Sequence, residues 1–258
     1  MRVYLEIARL SFRRYSTYRG AAFAGVFTNT VFGFVLASIL RAAVGDRTVG
    51  GLDRDDVTLF TFAAQGMLAV VNAFGDFELA NRVLSGEVAT ELHRPVDFAS
   101  FKLANDVGRS GFNALARGIP PFVIGWIAFR FELPGPSRVA SFLMAIAVAV
   151  VLSSRLWTIV GLVSFWLTDG NGVVQMMVLV VSTFGGVLIP LQFFPDSMVR
   201  VLEVLPFAAL VQLPVDVYLG FRNVGAVLVV QSGWVVTLEL VLRWELRLAL
   251  RKLEIQGG

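Results

Sequence analysis

Cysteine is absent from this 258-residue sequence, and histidine occurs once, as His93. No disulfide, thiolate metal site or cysteine nucleophile can therefore form, and one histidine makes a histidine-based metal cluster or catalytic triad implausible. Lysine is almost as scarce, with Lys102 and Lys252 against twenty arginines. Neither lysine follows a glycine, so the phosphate-binding pattern GxxxxGK[ST] does not occur in the chain. The sequence excludes ATP binding by that route.

Charge is also scarce. Only 16% of the residues are charged, against about 25% in ordinary soluble domains. Hydrophobic residues make up 56% and the mean hydropathy is +0.73. The net charge of +3 does not indicate nucleic-acid binding, because the basic residues stand at the ends of apolar stretches instead of in a stripe with aromatic residues. The composition predicts an all-α polytopic membrane protein.

Six apolar stretches are long enough to be membrane spans, since a span needs about 20 apolar residues. The fourth is longer than a bilayer requires, which predicts a tilt or an extension beyond the membrane. The predicted spans are 21–40, 57–77, 111–130, 139–165, 172–193 and 223–242.

The first 19 residues are predicted to form an interfacial helix. Arg2, Glu6 and Arg9 recur at helical spacing on one face, and apolar residues occupy the neighbouring face. That pattern is typical of a helix that lies on a membrane surface. Because charges continue to Arg19, the segment does not resemble a cleavable signal peptide.

The distribution of basic residues predicts the orientation. If both termini are cytoplasmic, the cytoplasmic segments hold fourteen arginines and lysines and the outer loops hold seven. This excess predicts that the N-terminus and the C-terminus face inward. The longest polar stretch, 78–110, is too short to fold alone, so residues 1–258 are predicted to form a single transmembrane domain.

The stretch from Phe184 to Gly220 is apolar but interrupted by four prolines. Proline removes a backbone donor and clashes with the preceding turn, so no straight spanning helix can run through the stretch. Non-helical backbone at membrane depth persists only where protein or a water-filled cavity covers it. The sequence predicts a span that ends near Phe193, followed by short re-entrant helices. Such broken structure is typical of transport proteins.

A short helix is predicted between the second and third spans. Ser85 is a plausible N-cap, Glu87 falls in the first turn, and Val88 and Leu92 stand at i, i+4. Pro95 stops the helix near Arg94. A short helix in this position can seat in a groove of a soluble partner and move as a lever.

Three stretches together carry a family resemblance: SGEVATELHRPVD, GGVLIPLQFFP with LPFAALVQLPVDVYLG, and the terminal LEIQGG. The chain resembles the permease subunits of type-2 ATP-binding-cassette exporters, in particular the six-span bacterial permeases of similar length that work with separate ATPase subunits. The resemblance covers essentially the whole chain. It implies a bacterial inner-membrane location, two ATPase partners that bind ATP and Mg, no cofactor on this chain, a second identical or related permease, and contact with membrane lipids.

The resemblance also implies roles for segments. Residues 1–19 would be a connecting helix packed on the ATPase, 85–94 the coupling helix, and 195–219 paired re-entrant helices over the outer vestibule. The implied coupling residues are Ser85, Gly86, Glu87, Val88, Glu91, Leu92 and Arg94. The implied residues of the outer segment are Pro190, Phe194, Pro195, Leu205, Pro206 and Pro214.

Spans two and five would line the translocation path. Gln65, Asn72 and Asp76 stand at i, i+7, i+11, which places them on one face of a helix. They are either polar contacts in the path or interhelical hydrogen bonds. Methionine re-packs easily and suits an apolar or amphipathic cargo, although packing in the core or against lipid is the competing interpretation. The candidate path residues are Gln65, Asn72, Phe62, Gln175, Met176 and Phe184.

One arginine falls inside a span, where a charge is costly without a partner. Arg155 in span four and Glu239 in span six lie at similar depth when counted from the outer ends of their spans. They either form an ion pair near the inner leaflet or snorkel separately to the interface.

Two other functional classes stay open at this point: an intramembrane enzyme, such as a lipid-modifying transferase or a protease, and a structural anchor or assembly factor. The enzyme needs catalytic side chains inside the spans, and the position of His93 in a loop argues against it. The anchor leaves the proline-broken stretch without a purpose. Drugs, lipids, glycolipids and small peptides are all compatible with the predicted path.

Overall fold

The computed structural model describes residues 2–167 and 169–256. Met1 of the predicted interfacial helix and the two glycines that end LEIQGG lie outside the described residues. Apart from one isolated bridge between Val49 and Leu52, the named elements of the described chain are helical. The α-helices are α1 Arg2–Thr17, α2 Arg19–Val44, α3 Arg54–Val70, α4 Phe77–Leu84, α5 Val88–Leu92, α6 Phe98–Asn113, α7 Ile119–Phe129, α8 Pro136–Leu162, α9 Gly170–Phe184, α10 Asp196–Leu202, α11 Gln212–Leu219 and α12 Val224–Gln256.

Four stretches of the described chain are long and apolar enough to cross a membrane: Arg19–Val44, Phe98–Phe129, Pro136–Phe165 and Val224–Lys252. Together with the shorter apolar helices they confirm the predicted all-α polytopic membrane fold. One end of the molecule carries α4 and α5, and we call it the α4–α5 end. The opposite end carries α10 and α11, and we call it the α10–α11 end.

The second and fifth predicted spans are shorter than the sequence pattern indicates. Helix α3 has 17 residues and α9 has 15, which correspond to about 25 and 22 Å of helix. Neither reaches the roughly 30 Å of a hydrocarbon core. The chain at 71–76 and 185–195 completes these passes in largely non-helical form. Neighbouring helices must satisfy its backbone groups there.

Helix α3 lies at the centre of the packed core. The side chain of Phe62 is fully buried, and its ring lies 5.6 Å from that of Phe34 and 5.9 Å from that of Phe129. Glycines on two neighbouring helices make room for it: a Cβ atom at Gly33 or Gly125 would approach the Phe62 ring to 2.8 or 2.4 Å. Small residues at these positions let the helices approach closely around a large aromatic ring.

A π-helix, Ala114–Gly118, joins α6 to α7. Its widened turn immediately precedes Pro120 and Pro121, which cannot donate backbone hydrogen bonds and whose rings crowd the preceding turn. The amide of Ile119 donates to the carbonyl of Ala114, five residues back. The two prolines therefore give a local π-turn within a continuous helical pass, consistent with the known causes of helix distortion.

Helix α1 packs along α6. The hydroxyl of Ser11 donates to the carbonyl of Asn105 at 2.7 Å, and the rings of Phe12 and Phe112 meet edge to face at 5.8 Å. A Cβ atom at Gly108 would lie 2.1 Å from the carbonyl oxygen of Ala8, so only glycine permits this approach. The rest of α1 is mostly exposed.

Candidate coupling surface and proline-broken segment

The predicted helix over 85–94 is two separate features in the structure. Ser85 caps the C-terminal end of α4 and does not begin a helix, which corrects the predicted N-cap. Gly86 then turns the chain with φ +79°, a conformation that favours glycine. Helix α5 follows with only five residues, and its N-cap residue Glu87 makes no side-chain capping hydrogen bond. The chain thus turns between two short helices.

Val88 and Leu92 face the membrane helices instead of the surrounding space. Val88 is fully buried, and Leu92 packs against the same cluster. We call this group the loop cluster; its buried members are Leu79, Val83, Val88, Phe98, Ala99, Leu162, Leu242 and Leu246. The i, i+4 apolar pair seen in the sequence therefore anchors α5 to the end of α8 and to the middle part of α12.

The opposite side of this turn is exposed. Ser85, Gly86, Glu87 and Arg94 are exposed, and Leu84 retains 43% of its accessible surface. The guanidinium of Arg94 lies 5.3 Å from the ring of Phe101, which holds that side chain against α6. We call Leu84, Ser85, Gly86, Glu87 and Arg94 the loop surface. It presents one apolar side chain between groups of opposite charge.

A chain of ion pairs ties α1, α4 and α5 together. Glu78 pairs with Arg14 at 3.4 Å and with Arg82. Arg82 also donates to Glu91 at 2.5 Å. Glu91, predicted to contact a partner, is thus engaged within the chain and half-buried. Networks of this kind restrict motion more than isolated surface pairs do.

A second ionic network joins the loop to the long helices. Asp97, at the N-cap of α6, receives two hydrogen bonds from Arg243 of α12, one of them at 2.9 Å. Arg243 also donates to Glu239 at 2.7 Å. Glu239 in turn meets Arg155 of α8, with Nε and Oε2 2.6 Å apart. We call Asp97, Arg243, Glu239 and Arg155 the ionic relay.

The structure thus brings Arg155 and Glu239 together, one of the two arrangements that the sequence left open. Their contact is a close charge pair without an aligned hydrogen bond, since Nε of Arg155 and Oε2 of Glu239 have no hydrogen-bond partner of good geometry. Nη1 of Arg155 donates to the carbonyl of Ala99 at 2.8 Å. The arginine therefore fixes the first turn of α6 as well as α12.

Asp97 keeps its charge in this network. Partial burial pushes the pKa of Asp97 upward, but hydrogen bonds from Arg243 and Ser100 outweigh that effect and hold the pKa at about 2. A carboxyl whose folded-state pKa is depressed stabilises the fold above its unfolded-state pKa and loses that contribution as the pH falls toward the folded value. Asp97 therefore stays ionised at any physiological pH.

The C-terminal end of α3 is buried and capped by other helices. Its last carbonyl groups have no partners within the helix. Asn113 donates to the carbonyl of Ala69 at 3.0 Å and Ser110 to that of Val70 at 2.6 Å. Ser153 of α8 donates to the carbonyl of Val71. These polar side chains of α6 and α8 allow α3 to end inside the protein.

The predicted polar face of span two does not form, because the helix ends before it is complete. Asn72 lies beyond α3 with φ +51° and donates to the carbonyl of Gly75 at 2.8 Å. Asp76 is the N-cap of α4 and pairs with Lys102. Gln65, within α3, is buried, and its carbonyl accepts from Asn29 at 3.3 Å.

The remaining candidate path residues fall into two groups. Phe62 is enclosed in the aromatic core, and Phe184 packs against that core at the end of α9. Gln175 and Met176 are exposed on α9, with 69% of Met176 accessible. The structure therefore does not bring the α3 and α9 candidates together on one open surface of a single chain.

The proline-broken segment, residues 185–223, folds back on itself through α10 and α11. Pro190, Pro195 and Pro214 stand next to or inside short helices, and Pro206 lies in the turn between them. The backbone groups exposed by these breaks find partners inside the segment. The amide of Gln212, for example, donates to the carbonyl of Gly185 at 3.1 Å.

A buried amide and carboxylate network fills the inside of this segment. Gln212 is fully buried; its oxygen accepts from the amide of Leu191 at 3.0 Å, and its nitrogen donates to Gln192 at 2.9 Å and to Asp216 at 2.8 Å. Gln192 donates to the same oxygen of Asp216 at 2.9 Å. Arg222 lies 3.6 Å from the other carboxylate oxygen. These contacts take the place of hydrogen bonds to water in a segment whose helices are interrupted by prolines.

The packed fold defines a helical membrane protein with an anchored loop at one end and a covered, proline-broken segment at the other. Residues 27–257 match the family described as ABC-2 family transporter protein, and the chain belongs to that family. It is a permease subunit of an ATP-binding-cassette transporter, as the resemblance in the sequence indicated. Permeases of this family are transmembrane components without catalysis of their own, and they associate with an ATP-binding-cassette ATPase. No curated protein matches the sequence.

Reasoning from the sequence missed most of the polar contacts that hold these features together. Asp97 and Arg243 are 146 residues apart, and nothing in their local sequence predicts the pair. A partial signal exists for the caps of α3, since Ser110, Asn113 and Ser153 are small polar residues inside apolar helices. Gln192, Gln212 and Asp216 carry a similar signal: they are polar residues in an otherwise apolar stretch.

Proposed function

We propose that the chain is the membrane subunit of an exporter that moves an apolar or amphipathic substrate out of the bacterial cytoplasm. The observation that carries the proposal is the loop surface, which is exposed on one side and anchored on the other by the loop cluster. Two ATPase subunits bind ATP and Mg and hydrolyse the ATP, since this chain lacks the phosphate-binding pattern. A second permease, identical or related, completes the transporter.

The loop surface is the contact for the ATPase in this proposal. Leu84 supplies an exposed apolar anchor, and Glu87 and Arg94 supply charges of opposite sign beside it. An apolar anchor with a polar rim is the usual composition of a protein interface. Val88 and Leu92 serve the other side, since they transmit force from the loop to the membrane helices.

In this proposal the ionic relay transmits the movement of the loop to the membrane helices. When the ATPase subunits close, the loop shifts, and Asp97 moves with it because it lies directly after the loop. Arg243 and Glu239 then transfer the displacement to α12, and Arg155 transfers it to α8. ATP binding on the partner thereby biases a two-state equilibrium of the membrane helices.

The cargo path lies along α9. Met176 is exposed, and an unbranched thioether adapts to apolar cargoes of different shape. Gln175 beside it offers an amide to the polar part of an amphipathic molecule. The proline-broken segment closes the path at the outer face and opens when the helices tilt. In this proposal the chain lies in the inner membrane, and its α4–α5 end and both termini face the cytoplasm.

The proposal predicts that the loop surface binds the ATPase. We expect the double substitution Leu84→Ala with Glu87→Arg to weaken the association with the ATPase by about tenfold or more, because it removes an apolar anchor and reverses a rim charge. Affinity purification of the tagged chain from its own cells identifies the ATPase, and titration of the purified subunits gives the dissociation constant.

Glu132→Arg is the matched control, since Glu132 is exposed at the α10–α11 end and carries the same charge. It should leave the association unchanged. Thermal unfolding of both variants checks that the membrane domain is intact. Equal affinity of the wild type and the double variant would contradict the assigned surface, and the absence of any ATPase in the purified material would contradict the exporter proposal.

A further inference from the structure

A row of polar residues runs along one face of the helical pass formed by α6 and the π-helix. Its members stand at i, i+4, i+7, i+11 and i+15, a spacing that keeps them on one side of a helix. They all line a cavity of about 270 Å³, which Tyr15 of α1 and the chain at 72–78 close from the other side. The row covers about 22 Å of helix. Its residues are Lys102, Asp106, Arg109, Asn113 and Arg117.

The charges near the α4–α5 end of this cavity are matched within the chain. Lys102 pairs with Asp76 and lies 3.6 Å from Asp106. Arg109 lies 3.4 Å from the same oxygen of Asp106. That carboxylate also accepts a hydrogen bond from Ser154 at 2.7 Å. The charges in the half of the cavity nearest the α4–α5 end therefore balance one another.

Arg117, at the far end of the row, is different. It is half-buried within a pass that is apolar enough to span the membrane. Its Nε is buried without a hydrogen-bond partner, and it forms no ion pair with the residues that the structure describes. The guanidinium lies against Gly25 of α2, where a Cβ atom would approach Nε to 2.1 Å. A cation at such a depth requires an anionic partner.

We propose that this cavity binds the phosphate group of a phospholipid from the leaflet at the α4–α5 end, with Arg117 as its principal ligand. A guanidinium presents donors in a planar fork that matches phosphate oxygens, and it is weakly hydrated, so it suits such a site better than lysine does. Tyr15 lines the same cavity and offers a phenol as a second donor. The principal ligand is independent of the proposed ATPase contacts, because Arg117 belongs neither to the loop surface nor to residues 1–19.

A lipid fits the position of the site better than a soluble phosphate does. Arg117 lies eight residues beyond Arg109, or about 12 Å further along the helix. Beside the cavity, Phe74 is apolar and exposes 53% of its surface; it stands between the lining residues Asn72 and Gly75. An acyl chain can lie against such a surface while its head group enters the cavity. A soluble anion has no corresponding reason to leave water.

The test compares two lipids that differ only in the phosphate-bearing head group. Full-length protein is stripped of lipid in detergent and titrated with dioleoylphosphatidylglycerol or dioleoylglycerol, and bound lipid is counted by native mass spectrometry. We expect the wild-type chain to bind one molecule of the phosphate lipid about tenfold more tightly than the neutral one, as a charge-assisted hydrogen bond supports. Arg117→Gln should abolish this preference.

Two further variants keep the result interpretable. Arg251→Gln removes the same charge from an exposed position on α12 and should leave the preference intact. Gly25→Ala keeps every charge but displaces the Arg117 guanidinium, so it should weaken phosphate-lipid binding. This variant tests the site even if Arg117→Gln fails to fold. Binding by Arg117→Gln or Gly25→Ala that equals the wild type overturns the site. Competition by glycerol 1-phosphate at similar concentrations reassigns it to a soluble phosphate ester and overturns the lipid assignment.

Discussion

Replacement of Arg155 by methionine should destabilise the protein by about 3 kcal/mol. Removal of one partner from a buried ion pair costs about 3–5 kcal/mol, because the remaining charge is left without compensation. The lower end applies here, since Glu239 is 29% exposed and keeps its contact with Arg243. The side chain of Arg155 itself is only 8% exposed. Thermal unfolding in detergent measures the effect, and a decrease of roughly 6 °C or more in Tm is expected.

Two companion variants separate the lost ion pair from a general effect of the substitution. Arg200→Met removes an arginine from the exposed surface of α10 and should change stability by less than about 0.5 kcal/mol. The double variant Arg155→Met with Glu239→Gln removes both charges and should recover part of the loss, because a neutral pair leaves no isolated charge. If Arg155→Met unfolds at the same temperature as Arg200→Met, the ionic relay does not stabilise the fold.

The substitution Gly186→Ala should disrupt the proline-broken segment, at a cost of about 2–5 kcal/mol. Gly186 has φ +72°, which costs an alanine about 1–2 kcal/mol. Its new Cβ atom would approach the side-chain oxygen of Gln212 to 2.2 Å. That oxygen accepts from the buried amide of Leu191, and loss of the hydrogen bond costs about 1–3 kcal/mol more. Thermal unfolding and limited proteolysis of the segment measure the effect.

Two other glycines separate the conformational cost of the substitution from the cost of the contact with Gln212. Gly45 also has positive φ but has nothing within 4 Å of its Cβ position, so Gly45→Ala reports the conformational cost alone. Gly233 lies inside α12 with open space around it, and Gly233→Ala should be neutral or stabilising by up to about 1 kcal/mol. If Gly186→Ala costs no more than Gly45→Ala, the contact with Gln212 is not important for the segment.

The sequence predicts the fold class because the bilayer imposes a simple rule on apolar length. The same rule fails for α3, because a helix can end at Val70 within an apolar stretch when Asn113, Ser110 and Ser153 cap its carbonyl groups. Those donors come from other helices. Local sequence therefore does not show where α3 ends, and the predicted face of Gln65, Asn72 and Asp76 does not form.

The candidate coupling site shows the same limit at smaller scale. The presence of a short helix within residues 85–94 and its end before Pro95 are predicted from local signals, because proline acts through backbone geometry. The side of α5 that faces outward is not predicted from local signals, because five residues are too few for a clear amphipathic pattern. Val88 faces inward only because the end of α8 and the middle part of α12 meet it there. Tertiary contacts decide which residues remain for a partner.

The measurement that tests the account most directly is whether ATP on the partner moves the α10–α11 end. The chain has no cysteine, so spin labels can be placed on Thr48→Cys and Ser197→Cys, both exposed at that end. Pulsed electron resonance on the complex with the copurified ATPase then gives the distance between the labels. We expect ATP under non-hydrolysing conditions to produce a second distance population, which disappears in the Leu84→Ala and Glu87→Arg double variant. An identical distance distribution with and without ATP, in a complex that retains its ATPase, would contradict the coupling proposed for this permease.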